Sequence, residues 1–292
     1  MSYLHSFAVG TQANRHQEPL TIDQIARYAP SAMATAAHES RSDRYTYIPT
    51  VAIIEGMIKN GFQPFSASQS RSRIEGKTEF TKHMIRFRHP ATDATELMKV
   101  GDIVPEVILI NSHDGTSAYK LIAGMYRLVC SNGLMVSDAE IAAVTVMHKG
   151  NILDNVIEGS YRLLENTEHA LGTVGTWGQL QLTSGEQNAF AEAAHTLRFA
   201  DAEGKVTTPI TASQLLQPRR AYDQGSDLWK TFNRVQENVI KGGLSAIQRD
   251  ENGRRVRRVS TRQVKGIDQD VKLNRALWQL AERMAELKAV AA

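Results

Sequence analysis

The sequence is poor in the features that mark secreted, membrane-spanning or disulfide-bonded proteins. Its 292 residues include one cysteine, which excludes an internal disulfide and fits a reducing compartment. No uninterrupted apolar run approaches the ~20 residues that span a bilayer. Residues 1–5 lack a charged segment followed by an apolar one, so no signal peptide is expected. These absences predict a soluble, cytoplasmic protein.

Motifs for metal or nucleotide binding are also missing. The histidines do not have metal-ligand spacing, and neither an HExxH pattern nor paired cysteines occur. Gly172, Gly175 and Gly178 lie close together, but no strand precedes them and no Lys-Ser/Thr pair follows. We therefore interpret 172–182 as a loop or helix break, and we expect neither a metal nor a cofactor.

Positive charge, by contrast, is concentrated in two short segments. Residues 71–88 hold six Arg/Lys against two acids, and residues 249–265 hold seven against two. The formal net charge of the chain is only +3, so the remainder is net acidic. Cations gathered on two segments of an acidic body are typical of a surface that binds a polyanion.

The first half of the chain has the pattern of an antiparallel β-meander. Segments 62–73 and 78–89 flank Glu75-Gly76-Lys77, and segments 106–113 and 116–129 flank Asp114-Gly115, a strong hairpin signal. Further short strands are expected at 134–136 and 143–148.

From Asn151 the apolar spacing becomes helical, with helices predicted at 184–199, 226–241 and 268–290. A basic hairpin is expected over 245–262, turning at Asn252-Gly253. The predicted fold is α+β, with an α+β region over 1–150 and a mainly helical region over 151–292 that can form one compact unit with the first.

Nucleic-acid-binding residues are predicted in both basic segments. The first set is Arg71, Arg73, Lys82, Arg86 and Arg88, and the second set is Arg254, Arg255, Arg257 and Arg258. Within a strand, Arg86 and Arg88 would lie about 6–7 Å apart on one face, near the spacing of successive phosphates. The alternatives are an edge strand protected by charge for the first set and a solvated tip, or an interface with acidic residues, for the second.

The densest polar cluster contains Asn111, His113 and Asp114. Its chemical interpretation is an active site with His113 as general base. Its alternative is turn chemistry, because Asp-Gly supplies the backbone conformation of a tight turn and neighbouring polar side chains satisfy loose backbone groups.

Four long runs, 104–117, 124–134, 233–243 and 272–278, resemble those of a phage- and plasmid-related protein family of unknown function. The resemblance covers nearly the whole chain. It implies a protein of prophages, plasmids and integrative elements, and it supplies no activity. The outline of a β-meander, a long helix and a basic hairpin is also similar to Rad-type single-strand annealing proteins, which form rings and bind one strand in a basic groove.

Together these features predict a self-associating protein that binds single-stranded DNA, with RNA as a further candidate, and promotes strand annealing in recombination or replication. Two alternatives stay open. One is an enzyme that acts on nucleic acid or a nucleotide through Asn111, His113 and Asp114. The other is an interaction factor that binds an acidic host protein.

Overall fold

A computed structural model describes residues 12–13, 18–41, 47–90, 103–127, 133–135, 144–146 and 152–290. Within these residues the fold is α+β, as predicted: an antiparallel sheet with helices precedes a mainly helical half that carries a β-hairpin. The chain divides into two compact units. The first is Met1–Leu134 with Glu140–Thr167, and the second is Met135–Ala139 with Glu168–Ala292.

The sheet joins strands that follow one another in the chain. These are β1 (Gln12–Ala13), β2 (Gln63–Gln69), β3 (His83–Arg88), β4 (Ile103–Asn111), β5 (Tyr119–Arg127), β6 (Gly133–Met135) and β7 (Val144–Val146). They lie in the order β1 to β6, and β7 pairs with β5. The antiparallel pairing from β1 to β5 confirms the meander. The β2–β3 and β4–β5 connections therefore meet at the same end of the sheet.

Two helices accompany the sheet, α1 (Ile22–Tyr28) and α2 (Thr50–Lys59). Helix α1 begins at a capping box, because the Thr21 hydroxyl accepts the Gln24 amide at 3.2 Å and the Gln24 side chain accepts the Thr21 amide at 2.8 Å. All six residues of β3 are buried. Burial of consecutive residues means that both faces of this central strand are covered, instead of one face meeting water.

The helical half contains α3 (Ile152–Gln179), α4 (Ser184–Phe199), α5 (Ala212–Leu215), α6 (Leu228–Lys241) and α7 (Ile267–Val290), with strands β8 (Ser245–Arg249) and β9 (Arg255–Ser260) between the last two helices. The interpretation of 172–182 as a loop or helix break was wrong, because α3 continues through Gly172 and Gly175 to Gln179. Helical glycines cost stability, but they do not end a helix that packing supports.

An aromatic cluster forms the centre of the second unit. Trp177 and Trp278 lie with ring centroids 4.6 Å apart, and Phe232 packs against both. Trp229 stacks on Phe232 at 5.6 Å. These rings come from α3, α6 and α7, so the cluster joins three helices that are distant in sequence.

Helix α6 is buried almost all round although more than half of its residues are polar. Both Glu237 carboxylate oxygens accept hydrogen bonds of 2.6 Å from Arg220. Burial raises the pKa of Glu237, but the bonds from Arg220 and Lys241 outweigh it and hold the pKa below its usual range. The Asn238 amide donates to the carbonyls of Leu215 and Gln217 at 2.9 Å. Glu237 and Asn238 of α6 thereby bind the end of α5 and the connection that follows it.

Candidate functional site

The second basic segment forms the predicted hairpin, β8 and β9, here called the arginine hairpin (residues 245–260). Gly253 takes the left-handed conformation at φ +76° that the tight turn requires. The Asp250 carboxylate accepts the backbone amides of Asn252 and Arg254 at 3.0 and 2.8 Å. The turn thus uses this carboxylate to hold its own backbone.

The base of the arginine hairpin is anchored to the helices around it. The Thr261 amide donates to the Leu244 carbonyl at 2.8 Å, and the Leu244 amide returns a bond of 3.0 Å to the Thr261 hydroxyl. The Gln214 side chain of α5 donates to the Ser245 carbonyl at 3.0 Å. The base is therefore fixed, whereas the strands beyond it project toward solvent.

All four predicted arginines of this segment, Arg254, Arg255, Arg257 and Arg258, are exposed. Arg257 donates to the Gln248 side chain at 2.8 Å and Arg258 to the Ser245 hydroxyl at 2.9 Å. Across the described ranges, no ion pair joins any of the four to a carboxylate. Their charge is therefore available to an external anion.

Gly242 connects α6 to the hairpin base and has φ +64°. A Cβ there would lie 2.6 Å from the Arg262 carbonyl carbon. We expect Gly242→Ala to lower the free energy of unfolding by about 2–3 kcal/mol, because backbone cannot move aside as a side chain can. Urea unfolding followed by circular dichroism measures the change.

Gly243→Ala is the matched control for this prediction. Gly243 also has a positive φ, +84°, but no atom lies within 4 Å of the added methyl. Its expected cost is the conformational one alone, about 1 kcal/mol. Equal losses in the two variants would show that the close approach to Arg262 does not matter.

The first basic segment is less available than its sequence indicates. Arg71 and Arg73 are exposed in the β2–β3 connection, and Lys82 is half-buried. Arg86 and Arg88 are only 5% and 3% exposed. The expectation of a solvent-facing stripe is thus corrected for this pair, because β3 is a central strand of the sheet and not its edge.

Arg86 and Arg88 share one carboxylate in the interior. Arg86 Nη1 donates to Glu106 Oε2 at 2.7 Å, and Arg88 Nε donates to Glu106 Oε1 at 3.0 Å. The Arg88 guanidinium lies 4.1 Å from the ring centroids of both Phe65 and Tyr126. One anion and two aromatic faces therefore stabilise two buried cations.

Two members of the predicted cluster, Asn111 and His113, meet at the Thr50 hydroxyl inside the first unit, together with His83. The Thr50 hydroxyl oxygen lies 3.0 Å from His83 Nε2, 3.1 Å from His113 Nε2 and 3.0 Å from Asn111 Nδ2. His113 and His83 are both fully buried, and Asn111 is 1% exposed. Burial lowers the pKa of His83 to about 3 and that of His113 to about 4.

The donor and acceptor roles in this cluster follow from the capacity of one hydroxyl, which donates once and accepts twice. His83 Nδ1 lies 3.1 Å from the Ser31 hydroxyl and 3.3 Å from the Thr81 carbonyl. Because the carbonyl can only accept, we assign the proton to Nδ1, and Nε2 then accepts the Thr50 hydroxyl. Thr50 then accepts from Asn111 Nδ2 and His113 Nε2, which fills its three places. The Tyr119 hydroxyl, also 3.1 Å from the Thr50 oxygen, donates to the Ile48 carbonyl at 3.1 Å instead. His113 Nδ1 and Asn111 Oδ1 then have no hydrogen-bond partner among the described atoms.

The hydrogen bonds and the ion pair of Asp114 are made with residues other than His113, which precedes it in the sequence. Its Oδ1 accepts the Thr116 amide and hydroxyl at 3.0 and 2.6 Å, and its Oδ2 lies 3.5 Å from Lys77 Nζ. Burial raises the pKa of Asp114, but the bonds from Thr116 and Ser112 and the charge of Lys77 outweigh it and lower the pKa. Asp114 therefore organises its turn, as the alternative interpretation of the sequence has it.

Two residues that complete these clusters escaped the sequence analysis. Thr50 is an ordinary first residue of a helix in sequence, and nothing local marks it as the partner of two histidines. Glu106 gives a clearer signal, because it is the single charged residue of β4, whose other residues from Ile103 to Ile110 are apolar. A carboxyl group at such a position needs a buried partner, and a cation is one such partner.

The part of the chain that the structure describes has neither a membrane-spanning helix nor a cluster of metal ligands. None of the helices in these ranges is long and apolar enough to cross a bilayer. No group of three or more His, Cys, Asp or Glu side chains in the same ranges is arranged to hold a metal ion.

Comparison with known proteins gives a consistent result over most of the chain. Two proteins of Escherichia coli (strain K12), UPF0380 protein YafZ and UPF0380 protein YfjQ, are each 46% identical to it over 270 residues, or 92% of this chain and 93% of theirs. No solved structure matches. The family model described as Domain of unknown function (DUF932) matches residues 37–278. By the extent of this match and of the two relatives, the chain belongs to the DUF932 family.

Proposed function

We propose that this protein is a cytoplasmic, self-associating, single-stranded-DNA-binding protein that promotes strand annealing. The observation that carries the proposal is the arginine hairpin, where Arg254, Arg255, Arg257 and Arg258 are exposed and free of ion pairs within the described residues. Arg71 and Arg73 are exposed as well and form a second set of proposed phosphate contacts with Lys82.

The chemistry of these side chains favours phosphate over other anions. A guanidinium presents a planar fork of donors that matches phosphate, and it also stacks on bases. Arg257 and Arg258 are consecutive on β9, and Arg255 stands two positions before Arg257, across the irregular register at Val256. Three guanidiniums gathered on one short strand suit a row of successive phosphates.

The annealing part of the proposal draws on the wider pattern of the chain. The resemblance to a phage- and plasmid-related family supports a role on mobile DNA. The meander β2–β5, which the 28-residue helix α3 follows in sequence, supports the likeness in outline to Rad-type annealing proteins. Those proteins act as rings, and self-association is therefore part of the proposal.

The enzyme alternative finds less support in the geometry. His113 is fully buried, its Nε2 is bonded to Thr50, and Asp114 holds its own turn. These positions suit hydrogen-bonding groups that stabilise the fold. Asn111, His113 and Asp114 are therefore left out of the proposed contact surface.

Binding to a labelled strand of ~30 nucleotides at several salt concentrations tests the proposal, with anisotropy as the readout. Replacement of all four hairpin arginines by Gln should weaken binding at least tenfold, since phosphate contacts drive such affinity. It should also reduce the slope of log K against log salt by roughly 3, since each single-strand phosphate contact contributes about 0.7.

The matched control replaces two exposed arginines outside the hairpin, Arg162 and Arg283, which are 61% and 68% exposed and already paired with Glu158 and Glu286. This pair of substitutions should leave the slope unchanged. Wild-type affinity that does not vary with salt would overturn the proposal, as would a fourfold variant that binds like wild type.

A further inference from the structure

The arginine hairpin presents apolar side chains as well as cations to solvent. Val256, which stands between Arg255 and Arg257 in the chain, is 60% exposed, and Ile247 is 39% exposed. A single exposed apolar side chain is unremarkable on any protein surface. Here, however, two of them lie within the same short cationic hairpin.

A β-bulge sets Val256 apart from its neighbours. Gln248 pairs with Arg257 and Arg249 pairs with Arg255, so Val256 is the extra residue of β9 and has no partner across the hairpin. A bulge bends its strand and redirects side chains, and bulges are frequent next to binding sites.

Ile247, on the opposite strand β8, is the second exposed apolar side chain of the hairpin. Ile247 pairs directly with Arg258, so the two side chains share one face of the hairpin. The bond from Arg258 to the Ser245 hydroxyl at 2.9 Å runs along that face. Arg257 lies on the other face, where it donates to Gln248. The apolar side chain of Ile247 therefore lies beside the Arg258 guanidinium, which is fixed by its hydrogen bond to Ser245.

We infer that Val256 and Ile247 contact the bases of a single strand whose phosphates are bound by the hairpin arginines. The inference rests on the proposed function and deepens it, because it defines the ligand as nucleic acid with unstacked bases. The apolar faces of bases are accessible in a single strand and are stacked away in a duplex. A phosphate polymer without bases provides anionic contacts for the arginines but no apolar surface for Val256.

The test compares wild type and Val256→Thr on three labelled probes: a 30-nucleotide oligothymidylate, an abasic strand of the same length, and a duplex. Threonine keeps the size and β-branching of valine and replaces one methyl by a hydroxyl. We expect Val256→Thr to weaken binding to oligothymidylate by roughly three- to tenfold and to leave the salt slope and the affinity for the abasic strand unchanged.

Val290→Thr is the control, because Val290 is 89% exposed on α7, outside the hairpin. It should bind all three probes like wild type. Equal wild-type affinity for oligothymidylate and the abasic strand would overturn the inference and leave the proposed function standing. An unchanged affinity of Val256→Thr for oligothymidylate would have the same meaning. Failure of wild type to bind any probe would overturn both.

Discussion

Replacement of Glu106 by Gln should lower the free energy of unfolding of the first unit by about 3–5 kcal/mol. The substitution keeps the shape of the side chain and removes the only carboxylate that pairs with Arg86 and Arg88 in the described interior. The two guanidiniums then remain desolvated without an anion, and such a charge costs far more to bury than a paired one. Native-state hydrogen exchange of the amides in β3 and β4 measures the loss.

The surface offers a matched control for this variant. Glu158 and Arg162 also pair at 2.7 Å, but their side chains are 69% and 61% exposed. Glu158→Gln should therefore change stability by less than about 0.5 kcal/mol, since water and salt screen such a pair. Comparable effects of the two substitutions would mean that the Glu106 cluster is solvated and that its burial does not govern its energy.

Acidification should destabilise the first unit well above the pH at which its carboxylates titrate. His83 and His113 have folded-state pKa values of about 3 and 4, because their burial penalises the charged ring. An unfolded histidine titrates near 6.5. Between these values the unfolded chain binds protons and the folded chain does not. Stability is therefore complete above pH 6.5 and falls as the pH decreases.

The expected loss between pH 7.5 and pH 5 is about 2 kcal/mol for each histidine, or about 4 kcal/mol together. Hydrogen exchange of the β3 and β5 amides at a series of pH values measures it. His83→Gln with His113→Asn should flatten the dependence in this range, whereas His169→Asn, at an exposed position, should retain it. Wild-type stability that is constant from pH 7.5 to 5 would show that both rings protonate inside the fold.

Much of the architecture could be predicted because the signals are local. Asn252-Gly253 marks the turn of the arginine hairpin, and its φ of +76° at Gly253 is the conformation that this pair favours. Asp114-Gly115 likewise marks the connection between β4 and β5, but β4 ends at Asn111 and β5 begins at Tyr119, so the connection covers 112–118 and is longer than the predicted two-residue turn. Helix α4 spans Ser184–Phe199, as predicted, and begins at a capping box formed by Thr183 and Glu186.

The contacts of the first basic segment could not be predicted in the same way. Because side chains alternate along β3, Arg86 and Arg88 lie on one face of the strand and Ile85 and Phe87 on the other. The alternation alone does not indicate whether either face is exposed to solvent. The burial of the two arginines depends on Glu106 of the neighbouring strand, which is 20 residues from Arg86 and 18 residues from Arg88 in the sequence. Similarly, Thr50 and His113 are 63 residues apart, so their contact depends on the tertiary fold.

The aromatic cluster of the second unit has a consequence for spectroscopy. The chain has three tryptophans, and all of them, Trp177, Trp229 and Trp278, lie in this unit. Intrinsic tryptophan emission therefore reports the unfolding of the helical unit and is insensitive to the sheet, whereas far-ultraviolet ellipticity follows both. The separation between the two denaturation midpoints is thus a direct measure of how independently the units unfold, obtained from the unmodified chain.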